Sequence, residues 1–292
     1  MIHVCYALHD TQGTFAKFLG TSMASLLANT QEGVHIHLLH DATLSQDTRA
    51  KFVKLVGGYE DMISFYHVTL PPGIYNPMMR SPNSPAALYR LAMGDILPPT
   101  VQKLVYLDAD TIIKLDIAEL WQENLGGAVI GAIPQSLYPT ISPHDFPLIK
   151  LGKISAEKYF NSGILLIDLN RWRHLAGFWE DSLRFLCANA EILRYSDQDI
   201  LNVWFSGNYH PLPMRYNLNV YHLRLMRKDY AASSGIYHYA GRCLGLPNGD
   251  GYDTLFWEYF IRTPWFGVET MARYTEKLLT PNQTTWSIVS EI

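Results

Sequence analysis

Segments typical of strands and helices alternate along the first half of this chain, and that order limits the fold more than any other feature. Ile2 to Leu8 is a short apolar run suited to a buried strand, and apolar residues then recur at helical spacing from Phe15 to Leu27. A strand over 34–38, a helix with Ser45 as its N-cap and a strand over 62–68 continue the order. Such alternation predicts an α/β fold with a mostly parallel, doubly wound sheet flanked by helices.

The second half repeats the pattern and then ends in a different kind of segment. Strands are predicted over 103–107, 128–133 and 164–169, and helices over 86–97 and 171–193. After about Asp253 the alternation stops, and a helical, aromatic-rich stretch runs from Phe256 to Leu279. We therefore predict one α/β domain over 1–252 and a short helical C-terminal extension over 253–292.

Composition and charge exclude several classes of protein. Hydrophobic residues make up 48% of the 292 residues and charged residues 17%, which is ordinary for a globular protein and excludes a disordered one. The formal charge of -4 gives no electrostatic reason to expect a nucleic acid as partner. Three cysteines without a Cys-x-x-Cys pair, and no signal peptide or membrane-length apolar run, predict a cytoplasmic protein. Basic residues in the C-terminal extension leave peripheral contact with the inner face of a membrane as an alternative.

Two carboxylates stand directly after the strand predicted over 103–107. Asp108 and Asp110 flank the small residue Ala109 at the carboxyl end of that strand, where parallel sheets bind their ligands. A D-x-D triplet often marks only a turn or a helix cap, but two unpaired carboxylates beside a buried strand would repel each other and be costly to desolvate. Their oxygen atoms suit Mg²⁺ or Mn²⁺ bound together with substrate phosphates.

Phosphatases of the haloacid-dehalogenase type also place a D-x-D triplet after an apolar strand, with one aspartate as the nucleophile. Their triplet usually follows the first strand, and Thr or Val stands two residues after the second aspartate. Here the triplet lies in the middle of the chain and Ile112 occupies that place, so this alternative fits poorly.

Four segments of the chain, taken together and in order, carry a family resemblance: Leu104 to Asp110 followed by Leu120-Trp121, Tyr159 to Leu169 with Trp172, Ser196 to Asn202, and His238 to Gly241. The first resembles the donor-binding segment of glycosyltransferase family 8, and the other three resemble motifs of that family in the family's order. Its members are retaining enzymes of the GT-A fold and include lipopolysaccharide galactosyl- and glucosyltransferases and glycogenin. The resemblance extends over Ile2 to Leu244 and implies a Rossmann-like GT-A sheet.

The resemblance implies a metal site and a catalytic pair. In family terms Asp108, Asp110 and His238 would bind Mn²⁺, with Mg²⁺ as the alternative, and the metal would bridge the diphosphate of a nucleotide sugar. Imidazole as the third ligand favours Mn²⁺. Asp197 and Gln198 would lie beside the reacting anomeric carbon, although acidic residues in a first helical turn also serve as caps. Since glutamine is a poor nucleophile, front-face retention is favoured over a double displacement through an enzyme carboxylate.

The resemblance also implies a pocket for the sugar donor. Arg90, which by its apolar neighbours alone could be a surface arginine with its stem along the core, would reach the donor. Asn161 would hydrogen-bond in the sugar pocket and Gly163 would permit close backbone approach, where local pattern alone predicts a turn before a strand. The other positions assigned to donor binding are Ala7, His9, Thr11, Asp108, Ala109, Asp110, Gln135, Gly241 and Arg242.

Three positions depart from the family pattern. His9 and Thr11 stand where family members often carry acidic and polar residues that contact uracil and ribose, so UDP is the expected nucleotide on the resemblance alone. Gln135 replaces an aspartate that commonly faces the sugar, which leaves the donor sugar open. Arg242 stands near the place of a lysine that holds the diphosphate, and we hypothesise that it supplies that charge from a shifted position.

These observations predict a Mn²⁺-dependent retaining hexosyltransferase that moves glucose or galactose from a UDP-sugar to a glycan or glycolipid, such as lipopolysaccharide or another bacterial surface glycan. One alternative is a sugar nucleotidyltransferase, which would share the sheet and the metal carboxylates. Such enzymes normally carry a Gly-rich phosphate loop near the first strand, and the stretch from His9 to Thr14 contains only Gly13. The other alternative is a non-catalytic binder of nucleotide sugars or glycans.

Overall fold

The computed structural model describes residues 1–57, 62–74, 84–138, 146–228, 233–240, 250–267 and 272. The strands in this part of the chain are β1 Ile2–Leu8, β2 Val34–His40, β3 Ile63–His67, β4 Lys103–Leu107, β5 Thr111–Lys114, β6 Ile130–Pro134, β7 Phe160–Asp168, β8 His210–Pro211, β9 Leu218–Asn219 and β10 Gly235–His238. The α-helices in the same residues are α1 Phe15–Asn29, α2 Gln46–Leu55, α3 Ala86–Tyr89, α4 Met93–Ile96, α5 Ala118–Trp121, α6 Pro147–Lys150, α7 Leu169–Arg173, α8 Phe178–Asn189, α9 Ser196–Phe205, α10 Val220–Leu225 and α11 Gly251–Phe260.

The main sheet has the strand order β3-β2-β1-β4-β7-β6-β8. Strand β1 is parallel to β2 and β4, β2 is parallel to β3, and β6 is parallel to β8. Strand β7 is antiparallel to both of its neighbours. The prediction of a mostly parallel α/β sheet is thereby confirmed. The order reverses between β1 and β4, so the carboxyl ends of these two strands flank the crevice where such sheets bind ligands.

Apolar side chains cover both faces of this sheet. On one face Tyr106 and Leu165 pack with residues of α3, α8 and α9, and on the other face Val105 and Ile164 pack with residues of α1. Alternate residues of β4 therefore point to opposite cores, as expected for a strand buried on both sides. The N-cap predicted at Ser45 is confirmed, because its side chain accepts a hydrogen bond from the backbone of Thr48 at 3.1 Å.

A second, smaller sheet has the order β5-β10-β9. Strand β5 follows the D-x-D triplet at once and pairs antiparallel with β10, which sets His238 opposite Thr111. The backbone N–H of Tyr239 also donates to the carbonyl of Asp110 at 2.8 Å. This pairing joins segments that lie far apart in the sequence, and it places the end of β10 beside the triplet.

Three predicted elements differ from the structure. The single helix expected over 171–193 is wrong: α7 ends at Arg173 and α8 begins at Phe178, and Gly177, the N-cap residue of α8, has a left-handed φ of 69° that interrupts a continuous helix. The helix expected over 86–97 is divided into α3, a 3₁₀ turn over Arg90–Ala92 and α4. Strand β7 begins at Phe160, so Asn161 and Gly163 lie within the strand and not in a turn before it.

Helix α11 packs against α1. Asp250 caps α11 by accepting from the backbone of Tyr252 at 3.0 Å, and the rings of Phe256 and Phe18 lie 6.0 Å apart. Residues 268–271 and 273–292 of the predicted extension lie outside the described residues, so the boundary at 253 stays a prediction. In the described ranges, every helix is too short or too polar to cross a bilayer.

Candidate active site

Three side chains that suit a metal ion converge where the two sheets meet. Asp108 follows β4, Asp110 precedes β5, and His238 ends β10. One ligand atom from each lies within 4.8 Å of the others, and in the described part of the chain no other group of three such residues does so. The Nε2 atom of His238 lies 3.3 Å from Oδ1 of Asp110 and 3.7 Å from Oδ2 of Asp108. The set of residues predicted from the resemblance is thus brought together by the fold.

Gly163 has no side chain, and this leaves room for the side chains of His238 and Asp108. A Cβ atom at this position would lie 2.2 Å from Cε1 of His238 and 2.8 Å from Oδ2 of Asp108. The carbonyl of Gly163 accepts a hydrogen bond from the backbone of Asp108 at 2.8 Å. Because the side chains of His238 and Asp108 pack directly against this backbone, only glycine fits here. Close approach of a donor at this position stays a prediction.

The protonation of the cluster reflects its burial and its charges. Burial raises the pKa of Asp108 to about 6, with Asp110 adding to the rise and Arg90 opposing it. Burial alone would lower the pKa of His238, but Asp110 and Asp108 outweigh it and the pKa is raised. Burial alone would also raise the pKa of Asp110, yet the facing His238 holds it below its usual value. A divalent cation would replace the shared protons and neutralise the two carboxylates.

Asn217 orients the histidine for such a role. Its Oδ1 atom lies 3.1 Å from Nδ1 of His238, while its Nδ2 donates to Oδ1 of Asn161 at 2.7 Å. An amide oxygen only accepts, so Nδ1 of His238 is the donor, and Nε2 faces the two carboxylates, where its lone pair would be available to a metal in place of the shared proton. Two carboxylates and one oriented imidazole therefore form a set that fits a divalent metal. Sequence reasoning missed Asn217, because nothing in its local pattern indicates a role.

Arg90 links the cluster to α9. Its guanidinium donates to Oδ1 of Asp108 at 2.6 Å and to the carbonyl of Ser162 at 2.7 Å, and it lies 3.2 Å from Oδ2 of Asp197. It also lies over the ring of Tyr106, 4.3 Å from the centroid. The side chain is 4% exposed, so the surface position considered for it from the sequence is wrong. Contact between Arg90 and a sugar donor stays a prediction.

Gln198 is held on both sides of its amide. Its Oε1 accepts from Nδ2 of Asn161 and from the backbone of Ser162, each at 3.1 Å, and its Nε2 donates to the hydroxyl of Tyr159 at 3.0 Å. The hydroxyl of Ser162 donates to Asp197 at 3.1 Å. These bonds place Asp197 and Gln198, the predicted catalytic pair, beside β7. Through Arg90 the pair is also linked to Asp108 of the candidate metal site.

Asp199 serves the local structure. Its Oδ2 accepts from the backbone of Arg194 at 2.7 Å and of Tyr195 at 3.0 Å, and its Oδ1 accepts from the hydroxyl of Tyr159 at 2.5 Å. The carboxylate thereby closes the turn that leads into α9. The capping role expected for part of the acidic segment over 197–199 belongs to this residue.

The residues near β1 that are predicted to bind the donor differ in their burial and contacts. Ala7 is buried within β1, Thr11 is exposed, and Ala109 is partly buried between Asp108 and Asp110. Nδ1 of His9 lies 2.6 Å from Oδ2 of Asp41, a residue that sequence reasoning did not single out. In the local sequence, Asp41 is marked only by its position as a carboxylate directly after β2.

Gln135 is buried at the end of β6, where its backbone N–H donates to the carbonyl of Tyr159 at 2.7 Å. Gly241 and Arg242 lie outside the described residues, so the roles predicted for them stay predictions. The structure therefore brings together most of the predicted site: Arg90, Asp108, Asp110, Asn161, Gly163, Asp197, Gln198 and His238.

Comparison with solved structures shows the fold. The crystal structure of galactosyltransferase LgtC, in complex with donor and acceptor sugar analogues, superposes with a TM-score of 0.72 and 22% identity, covering 93% of this chain and 99% of that one. The arrangement of a large, mostly parallel sheet with flanking helices is therefore that of the GT-A glycosyltransferases.

Comparison with curated proteins gives the family. Lipopolysaccharide 1,2-glucosyltransferase of Escherichia coli (strain K12) is 33% identical over 236 residues, which cover 78% of this chain and 67% of that protein. A putative glycosyltransferase of Haemophilus influenzae is 25% identical over 214 residues, which cover 73% of this chain and 63% of that protein. The matched region thus spans about two thirds of the length of both relatives. The family model of glycosyl transferase family 8 matches residues 6–243, and the chain belongs to that family.

Proposed function

We propose that this chain is a retaining hexosyltransferase that moves glucose or galactose from a UDP-sugar to a glycan acceptor. The observation that carries the proposal is the contact between two groups of residues near the carboxyl end of β4, the candidate metal ligands and the predicted catalytic pair. Asp108, Asp110 and His238 form the metal cluster, and Arg90 connects it within hydrogen-bonding distance to Asp197. A site of this kind offers charge stabilisation for a diphosphate beside polar groups for a sugar.

Mn²⁺ is the cation that we propose for Asp108, Asp110 and His238, with Mg²⁺ as the alternative. The set contains an imidazole nitrogen, and nitrogen ligands suit Mn²⁺ better than Mg²⁺. When bound, the cation would stabilise the negative charge of the departing diphosphate. Asn217 would keep Nε2 of His238 directed at the metal position, and Gly163 would keep the position open.

The contacts of Asp197 and Gln198 support front-face retention. The amide oxygen of Gln198, a poor nucleophile, already accepts hydrogen bonds from Asn161 and Ser162, and the amide nitrogen donates to Tyr159, so the side chain is held in a fixed position. Asp197 is buried and paired with Arg90, which lowers the nucleophilicity of its carboxylate. We infer that the leaving diphosphate assists deprotonation of the acceptor hydroxyl, while these residues orient the sugar and stabilise developing positive charge.

A surface glycan, such as lipopolysaccharide, is the acceptor class that we propose. The support is the 33% identity to the lipopolysaccharide 1,2-glucosyltransferase of Escherichia coli. Peripheral contact with a membrane stays a prediction, since residues 273–292 lie outside the described residues.

The test is release of the nucleoside diphosphate from a panel of UDP-, GDP- and ADP-sugars without acceptor, in Mn²⁺ or in EDTA. We expect one UDP-hexose to be hydrolysed slowly in Mn²⁺ alone, and Asp108→Asn with Asp110→Asn to abolish the reaction. Asp47→Asn is the matched control, because this exposed residue of α2 makes only a surface ion pair with Lys51. Metal-independent turnover, or turnover that survives the double substitution, would contradict the proposal. Binding without any turnover would favour a non-catalytic binder.

A further inference from the structure

Hydrogen bonds between side chains lead from the candidate metal site to Gln198. Nδ1 of His238 lies 3.1 Å from Oδ1 of Asn217, and Nδ2 of Asn217 donates to Oδ1 of Asn161 at 2.7 Å. Nδ2 of Asn161 donates in turn to Oε1 of Gln198 at 3.1 Å. His238 ends β10, Asn161 lies in β7 and Gln198 lies in α9, so these bonds connect three elements of the fold.

The bonds continue past Gln198 to the start of α9. Nε2 of Gln198 donates to the hydroxyl of Tyr159 at 3.0 Å, and that hydroxyl donates to Oδ1 of Asp199 at 2.5 Å. The polar chain, as we call this series, consists of His238, Asn217, Asn161, Gln198, Tyr159 and Asp199. Apart from Asn161, which is partly buried, all of its members are buried. Water therefore has little access to replace a bond that is lost.

Two backbone groups of β7 fix the direction of the polar chain. The N–H of Gly163 donates to Oδ1 of Asn161 at 3.0 Å, and the N–H of Ser162 donates to Oε1 of Gln198 at 3.1 Å. Because a backbone N–H only donates, both side-chain atoms are amide oxygens. The next amide, that of Asn217, must then turn its nitrogen toward β7 and its oxygen toward the imidazole. Every bond of the polar chain thus runs in one direction, from the imidazole to the carboxylate.

This single direction makes the orientation of each amide depend on its neighbours. If the amide of Gln198 turned over, its nitrogen would face two donors. Its oxygen would face the hydroxyl of Tyr159, whose proton is already donated to Asp199. Each mismatch would leave a buried polar group unpaired. The position of the Gln198 amide therefore depends on both ends of the polar chain.

We propose that Tyr159 is a positioning residue for Gln198, and that the polar chain couples the orientation of this amide to binding of a cation at His238. The inference rests on the proposed function. The Nδ1–H group of an imidazole becomes a stronger donor when Nε2 binds a cation, and hydrogen bonds in a series polarise one another. Cation binding therefore holds the Gln198 amide more firmly, and by reciprocity the loss of that hold weakens binding of the cation.

The first test replaces Tyr159 by phenylalanine, which removes one hydroxyl and keeps the buried ring. Nε2 of Gln198 then lacks its acceptor, so we expect kcat for hydrolysis of a UDP-hexose to fall about tenfold, with KM little changed. Affinity for Mn²⁺, measured by electron paramagnetic resonance, should fall about fivefold, the lower end of ordinary coupling between two sites. Tyr252→Phe is the matched control, because its buried hydroxyl donates to the carbonyl of Lys228, outside the polar chain. It should lose stability in urea to a similar degree and keep its affinity for Mn²⁺.

A double-mutant cycle separates coupling from a merely structural role. Asn217→Ala removes the link between the imidazole and β7, and affinity for Mn²⁺ should fall at least about tenfold. Once that link is cut, adding Tyr159→Phe should change the affinity by less than about twofold. Asn217→Asp gives a second background, since its carboxylate still accepts from Nδ1 of His238 but cannot donate to Asn161. There too, Tyr159→Phe should have no further effect on the affinity for Mn²⁺.

The outcomes distinguish this inference from the proposed function. The coupling would be overturned if Tyr159→Phe kept its affinity for Mn²⁺, if Tyr252→Phe lost as much, or if the effects of Tyr159→Phe and Asn217→Ala simply multiplied. Turnover of a UDP-hexose by the natural chain would leave the glycosyltransferase proposal intact in each of these cases. Coupling in the cycle without turnover of any nucleotide sugar would support this inference and contradict the proposed function. Failure of the natural chain to bind Mn²⁺ would overturn both.

Discussion

Replacing Gly163 by alanine should damage the metal site while leaving the fold intact. The added Cβ would lie 2.2 Å from Cε1 of His238 and 2.8 Å from Oδ2 of Asp108. The imidazole would have to move by about 1 Å to restore van der Waals contact. Metal sites tolerate deviations of only about 0.2 Å in ligand distance. Both ligands would be displaced at once, so we expect affinity for Mn²⁺ to fall by at least about tenfold, and turnover of the donor to fall with it.

The variant should still fold, with a moderate loss in the free energy of unfolding. Overpacking of one methyl group typically destabilises a protein by about 1 to 3 kcal/mol. Gly131→Ala is the matched control, since this glycine lies in β6, in the same sheet. Its added Cβ would meet the side-chain ends of Leu125 at 2.8 Å and Leu212 at 3.1 Å, which can turn aside. That variant should lose stability to a similar or smaller degree and keep its metal affinity.

Electron paramagnetic resonance of free Mn²⁺ gives the metal affinity directly, and urea unfolding monitored by circular dichroism gives the free energy of unfolding. Metal affinity of Gly163→Ala within about twofold of the natural chain, with normal turnover, would refute the steric argument. An equal loss of metal affinity in Gly131→Ala would show that general destabilisation of the sheet is responsible.

Three further predictions concern charge. Burial lowers the pKa of His37 to about 3 and that of His222 to about 4, so the unfolded chain binds protons first as the pH falls below 6.5. The free energy of unfolding, measured in urea, should therefore be lower at pH 5 than at neutral pH by about 2 kcal/mol for each of these histidines. His222→Phe should remove the part that is due to His222, so an equal fall in the free energy of unfolding in both proteins would contradict this reasoning. Because the pKa values of Asp108 and His238 are raised, protons should compete with Mn²⁺, and affinity measured by paramagnetic resonance should fall from pH 7.5 to 5.5; a flat profile would count against the assigned ligands. Arg90→Met leaves two buried carboxylates without their partner, so unfolding free energy should fall by about 3 to 5 kcal/mol; unchanged stability in urea would show that the ion pairs contribute little.

Local patterns in the sequence were sufficient for the elements that depend on near neighbours. The apolar run Ile2–Leu8 became β1, and the run before Asp108 became β4, because strands buried on both faces need uninterrupted apolar residues. Ser45 caps α2 through a contact three residues away. The acidic pair Asp108 and Asp110, which we propose as metal ligands, could also be found, since the carboxyl end of a parallel strand is where α/β sheets bind ligands.

The break at Gly177 shows where local pattern misleads. Apolar spacing continues across 171–193, yet α7 ends at Arg173 and α8 begins at Phe178, after Gly177 with its left-handed backbone. Similarly, Arg90 has the sequence context of an ordinary helical arginine. Its burial is possible only because Asp108 and Asp197, distant in sequence, compensate the cost of removing its charge from water.

The sequence by itself therefore determined the α/β class, the position of the acidic pair and, through the family resemblance, the identity of the residues around it. Only the tertiary structure decided how they work together. The pairing of β5 with β10 places His238 beside the aspartates, and Asn217 orients its imidazole ring. Each of these contacts joins residues whose separation along the chain leaves no periodic signal, because hydrogen bonds between side chains depend on distances in space that strand pairing alone creates.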